Sequence, residues 1–195
     1  MARYGAIAAT GQALLGLLAD ALPKPEFAAA RFELYQAQDF KNPLEDGVAL
    51  YLYRVAVNGT QRNLPPRVLP DGRRFKPGLP IDLHYLLIPW ARDAVKQQRL
   101  LGWCMRALED TPILPAGLLN HYAPDPATFH PGETVELITD PLSLQDLNNI
   151  WDPFKPTIQL SAAYIARMLV IDSPLELVSG PPVQTRVFDA GVLTT

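Results

Sequence analysis

Proline sets the limits on what this chain can fold into. Twenty of its 195 residues are proline, about twice the usual ~5% share. Proline fixes φ and has no N–H to donate, so it is excluded from helix interiors and central strands. Most of these prolines stand in connections: Pro23 and Pro25, Pro65, Pro66 and Pro70, Pro77 and Pro80, Pro124, Pro126 and Pro131, Pro181 and Pro182. The chain therefore reads as compact elements joined by long, stiff loops.

Between the prolines the apolar patterning is strong. Residues 48–57, VALYLYRVAV, are β-branched, aromatic and almost wholly apolar, the mark of a central strand covered on both faces. Residues 29–35, 81–88, 133–139 and 163–171 read as further strands, with Pro89 expected to end the third ladder. A helix is predicted over residues 3–21, where Ile7, Gly11, Leu14, Leu18 and Ala21 share one stripe. The same run could pass as a weak secretory signal. Thr10, Gln12 and Asp20 interrupt it and make it too polar to span a bilayer. A second helix covers residues 91–109. A third begins at Ser143, with Asp146 three residues on, close to a capping box. Residues 112–131 read as loop, and residues 183–188 as a possible short strand. Consecutive strands that then mix with helices define an α+β fold. The expected architecture is a mixed, largely antiparallel sheet of about four to five strands with two to three packed helices.

The length suits one domain of about 100–200 residues with its own core. A hydrophobic content of 48% and a charged content of 19% are ordinary for a globular protein. The net charge of −3 gives no global attraction to nucleic acid. A single cysteine, Cys104, excludes an internal disulfide framework and any multi-cysteine metal site.

Candidate chemistry is sparse. His84 lies in a predicted strand between Leu83 and Tyr85 and reads as a structural histidine, since catalysis would need an identifiable nucleophile or acid partner. Cys104 sits mid-helix between Trp103 and Met105 and reads as a small hydrophobe. His121, His130 and Asp125 share one loop, without the spacing that places metal ligands on one face. There is no nucleophile elbow, phosphate-cradling loop or dinucleotide fingerprint. No catalytic, cofactor-binding or metal-binding residue is assigned.

Two stretches instead suggest contact with other chains. The half-helix from Leu100 to Leu108, including Trp103, is apolar nearly all round, which calls for cover on every side. The loop over residues 61–80 carries Arg62, Arg67, Arg73, Arg74 and Lys76 against one acid, Asp71. It is either a solvated surface loop or an interface. Asp125, Glu133, Glu136, Asp140 and Asp146 form a possible acidic counterpart. Opposite patches on one subunit suit head-to-tail contact, which closes into a ring when the rotation allows.

Several blocks, taken in order, carry a resemblance: LLGLL at the end of the first helix, LYLYRVAVNGTQRN, LHYLLIPWARDAVKQQRLLGWCMRALEDTPIL, LSLQDLNNIWDPF and PTIQLSAAYIARMLVIDS. From about residue 5 to about residue 175 the chain resembles the N-terminal domain of the cap, or tail-terminator, protein of extracellular contractile injection systems. These are phage-tail-like particles of the antifeeding prophage and Photorhabdus virulence cassette type. The resemblance implies a terminator-like fold over residues 1–175 with a tail over 176–195. It implies a ring, a hexamer in that family, that ends growth of the inner tube and contractile sheath. It also implies no enzyme activity, no cofactor, and neither nucleic acid nor membrane as partner. The partners would be the chain itself and the tube and sheath subunits, met in the cytoplasm during assembly and then in the particle, which can leave the cell. Rival readings are another neck or tail-completion role, a hydrolase using the histidines, and a nucleic-acid binder acting through residues 62–76.

Overall fold

The structure is a computed structural model that describes residues 2–154 and 158–177. A six-stranded sheet has the order β1-β2-β5-β8-β7-β6, formed by β1 (Arg31–Tyr35), β2 (Gly47–Val57), β5 (Leu79–Trp90), β6 (Ile113–Pro115), β7 (Thr134–Thr139) and β8 (Ala162–Ile171). Only β1 and β2 pair in parallel; the other neighbours are antiparallel. Two further strands, β3 (Arg67–Val68) and β4 (Arg74–Phe75), form a separate ribbon. The helices are α1 (Ala6–Ala21), the short α2 (Lys24–Phe27), α3 (Ala94–Glu109), α4 (Ala116–Tyr122) and α5 (Leu144–Trp151).

The α+β class and the mixed sheet agree with expectation. The sheet gains one strand, and the described residues hold five helices rather than two or three. The additions lie where proline suggested loop. Leu114 of β6 and Leu119 of α4 are buried, so their apolar side chains anchor a segment with little periodicity. Pro115 precedes the first turn of α4, where a missing N–H costs nothing because those donors have no intrahelical partner. The expected end at Pro89 is also corrected: pairing with β2 continues through Val48↔Pro89 to Gly47↔Trp90. The last β8 partner of β5 is Ala162, opposite Leu87. Beyond it β5 has a free side, where proline is tolerated. The possible strand at 183–188 lies outside the described residues.

Two layers cover the sheet, and they differ in chemistry. One face packs an aliphatic core in which Leu14 and Leu18 of α1, Leu100, Cys104 and Leu108 of α3 and Leu119 of α4 meet Val48, Leu50, Leu83 and Leu87. Each such side chain contributes about 1.5–3 kcal/mol by leaving water. Small residues let α1 lie close: Gly16 faces the Tyr122 ring, and a Cβ there would stand 2.2 Å from it. The other face is aromatic. Phe40, from the turn between β1 and β2, stacks near Phe154 with centroids 4.3 Å apart and meets Trp151 edge-on at 5.5 Å. Such pairs add about 0.5–1.5 kcal/mol beyond area burial.

The ends of these elements follow from their residues. Asp93 caps α3 by accepting from the Lys96 N–H at 2.8 Å, worth about 1 kcal/mol. Helix α3 therefore starts at Ala94 rather than Ala91. The expected stripe of Ala91, Ala94 and Val95 does not face the core: Ala94 and Val95 are exposed. Ser143 caps α5 by accepting from the Asp146 N–H, as its capping pattern predicts.

Candidate assembly surface

The basic loop is organised by a ribbon. Arg67 pairs with Phe75 and Val68 with Arg74 across it. At its turn the Asp71 carboxylate accepts from both the backbone N–H and the Nε–H of Arg73, at 3.1 and 2.8 Å. These bonds hold the Asp71 carboxyl below its ordinary value. Beyond β4 the chain pairs with its own later segment. Lys76 N–H donates to the Leu175 carbonyl, Leu177 N–H donates to the Arg74 carbonyl, and Phe75 bridges Glu176.

The five loop cations divide by role. Arg67 turns inward. Its guanidinium lies 3.4 Å from the Asp172 carboxylate, with its side chain 25% exposed, and 4.8 Å from the Phe75 ring centre. It braces the ribbon against the end of β8. Arg73 is held by Asp71. Arg62, Arg74 and Lys76 are exposed and make no ion pair among the described residues. The sequence treats these five alike, because the partner of Arg67 lies more than a hundred residues downstream, where no local pattern reveals it.

Helix α3 corrects the other expectation. Leu100 is fully buried within its own chain, on one face with Cys104 and Leu108. That spacing of four residues is an ordinary core stripe, and it leaves Leu100 no surface to offer. Trp103 is half-buried. With Leu17, Ala21 and Ala107 it lines a groove of about 290 Å³ between α1 and α3. Met105, on the same helix, is exposed.

The histidines and the cysteine find physical roles. His84 Nδ1 lies 3.1 Å from Asp140 Oδ2, and the Tyr53 hydroxyl donates to the same oxygen at 3.0 Å. Burial first, and the Asp140 charge second, raise the Tyr53 hydroxyl well above its ordinary value. This cluster fastens the connection after β7 to β2 and β5, beside a cleft of about 490 Å³ that also holds Arg54 and Asp146. The sequence could not show it, since His84 and Asp140 are 56 positions apart. Among the described residues no serine, threonine or cysteine lines that cleft. Burial pushes the Cys104 thiol up to about 12, the reverse of a reactive thiolate. The loop histidines diverge: His121 meets Tyr122 edge-on, while His130 Nε2 lies 3.7 Å from Asp172. No group of three metal-ligating side chains forms among the described residues, and none of their helices is long and apolar enough to cross a membrane.

The acidic set is partly used within the fold. Asp125 pairs with Arg3 at 2.8 Å and Glu136 with Arg167 at 2.8 Å. Glu133 accepts from the His130 N–H. Asp140 sits in the His84 cluster, and Asp146 accepts from the Ser143 hydroxyl at 2.6 Å. An extended acidic counter-patch is therefore not free on the surface as the sequence suggested.

Fold and surface define an α+β domain with a mixed six-stranded sheet and a braced basic ribbon at one end. The comparisons place it more closely. The model of the Pvc16 N-terminal domain matches residues 9–185, and the chain belongs to that family. Among solved structures, the chain is similar to the sheath/tube terminator of the extracellular contractile injection system PVC, seen by cryo-electron microscopy in its extended state. The TM-score is 0.64 at 16% identity, covering 96% of this chain and 64% of that one. It is also similar to the tube-terminating cap of the anti-feeding prophage, with a TM-score of 0.53 at 17% identity, covering 96% of this chain and 59% of that one. The chain thus spans less than two thirds of the length of either structure, and the likeness is one of fold. No curated protein matches it.

Proposed function

We propose that this chain is a structural cap that ends and stabilises the tube and sheath of a phage-tail-like contractile injection particle. The observation that carries this reading is the family match over residues 9–185, which spans nearly the whole sheet domain. The fold it shares with a sheath/tube terminator and a tube-terminating cap supports it. In this reading the chain forms a ring, a hexamer, whose partners are its own copies and the tube and sheath subunits. It joins the particle during assembly in the cytoplasm and remains part of it. It acts by binding rather than by catalysis. The Cys104 thiol, held protonated by burial, supports that reading.

A tube of identical stacked rings offers the same addition site after every step. A terminator binds the last ring yet presents no matching upper surface. Because it binds only the assembled state, it also opposes loss of terminal subunits by mass action. Arg62, Arg74 and Lys76 are the interface cations in this reading, with Arg67 as their brace and Trp103 at a second contact. The test is to image purified particles carrying a labelled copy of this chain. Label at the tube end distal to the baseplate supports the cap. Label at a neck or along the shaft would replace it with the tail-completion reading.

A further inference from the structure

Four separated parts of the sequence meet at one end of the sheet. Ala2 bridges Ile171, and Leu79 pairs with the same residue. Arg67 reaches Asp172, and Phe75 bridges Glu176. Between the N-terminal segment, the ribbon and the chain after β8 lies a cleft of about 480 Å³, lined by Arg3, Tyr4, Arg67, His130, Asp172 and Pro174.

The charges here do not cancel. Arg3 is neutralised by Asp125, Arg67 by Asp172 and Arg73 by Asp71. Arg62, Arg74 and Lys76 remain without an ion-pair partner among the described residues. Against them stands Glu176, within electrostatic reach of Arg73. The same end carries large apolar side chains facing water: Tyr4 is 89% exposed, Val68 60% and Leu175 56%. Tyr4 lines the cleft, while Val68 stands on the ribbon and Leu175 on the segment that pairs with it. Isolated exposed apolar residues need no explanation, but several at one end do.

We propose that this end is a docking surface for an acidic protein segment with apolar side chains. The apolar side chains rest on Tyr4, Val68 and Leu175 and enter the cleft beside Tyr4 and Pro174, while the carboxylates meet Arg74 and Lys76. A protein fits better than a nucleic acid because the free cations are few and interleaved with apolar groups, whereas phosphate tracking needs a continuous basic stripe. The inference rests on the cap reading, since the partner it describes is a segment of the assembled particle.

The test places a photo-cross-linking side chain in this chain within whole particles, as Val68→p-benzoylphenylalanine, with Leu144→p-benzoylphenylalanine on the distant helix α5 as a second probe. The expected result is a cross-link from position 68 to another polypeptide of the particle, mapping to a stretch rich in Asp or Glu and apolar residues. Arg74→Glu with Lys76→Glu should reduce its yield about tenfold at low salt and less at high salt, because exposed charges are screened. A labelled chain seated at the tube end, with no cross-link from position 68 or one from position 144 alone, would overturn the docking surface and leave the cap reading standing. A chain absent from the particles would overturn both. Retention on a DNA column that the double variant abolishes, with no polypeptide cross-link, would overturn the protein partner.

Discussion

Helix α3 and the β3–β4 ribbon looked equivalent as a sequence, each with more of one chemistry than a single chain needs. In the fold they part. The apolar excess of α3 is largely absorbed at home: Leu100, Cys104 and Leu108 are buried, and only side chains such as Met105 remain in water. The basic excess of the ribbon is only partly absorbed, by Asp172 and Asp71. Non-directional apolar burial accepts any nearby core as a partner. A charge needs an opposite charge at short range, and the described residues provide none for Arg74 or Lys76. Unpaired charge is therefore the better pointer to an interface here.

The comparison breaks first at the scaffold. Gly47, at φ +147°, lies where a Cβ would meet the Arg31 carbonyl oxygen at 2.0 Å. Gly47→Ala should separate β1 from β2 and cost about 4 kcal/mol or more, read as a fall in the urea midpoint. Leu100→Ala comes next, at about 3 kcal/mol for a buried cavity. If α3 were chiefly an interface rather than core, the isolated chain would melt like wild type and only assembly would suffer. Arg67→Ala should cost about 1 kcal/mol, because it removes a partly buried ion pair and its stacking on Phe75. Its sharper effect should be faster hydrogen exchange at Leu69 and Lys76, whose N–H groups bond within and beside the ribbon.

Met168 has φ 66° at the irregularity between β5 and β8, a conformation that glycine adopts without strain. Met168→Gly should leave stability unchanged or raise it by up to about 1 kcal/mol, measured by thermal melting. A clear loss would mean that the methionine side chain, half in water, does more than occupy the bulge.

The sequence shows elements with strong periodicity and misses those whose reason lies elsewhere in the chain. The runs around Val48, Leu83 and Ile165 read correctly as strands, and Ser143 announced α5 by its cap. The run over residues 48–57 is covered on both faces only in its first half, since Val55 and Val57 are exposed. Strand β6 and helix α4 were hidden by Pro112 and Pro115, since proline reads as a breaker even where it starts a helix. The ribbon was hidden because each of its strands is two residues long and is held by residues 172–177. For the same reason the five cations could be identified as a group but not divided. Only the distant position of Asp172 separates Arg67, which braces, from Arg74 and Lys76, which have no ion-pair partner among the described residues.

The most direct measurement is particle length. A strain lacking this chain would be complemented with nothing, with the wild-type chain, or with Arg74→Glu and Lys76→Glu together, and particles measured by electron microscopy. Both substituted residues are exposed, so the purified variant should melt within about 0.5 kcal/mol of wild type. Without the chain, particles should be irregular in length or carry detached sheath, and the folded double variant should restore them poorly at low salt. A length distribution as narrow without the chain as with it would contradict the cap. A double variant that restores length fully would contradict the role given to the ribbon.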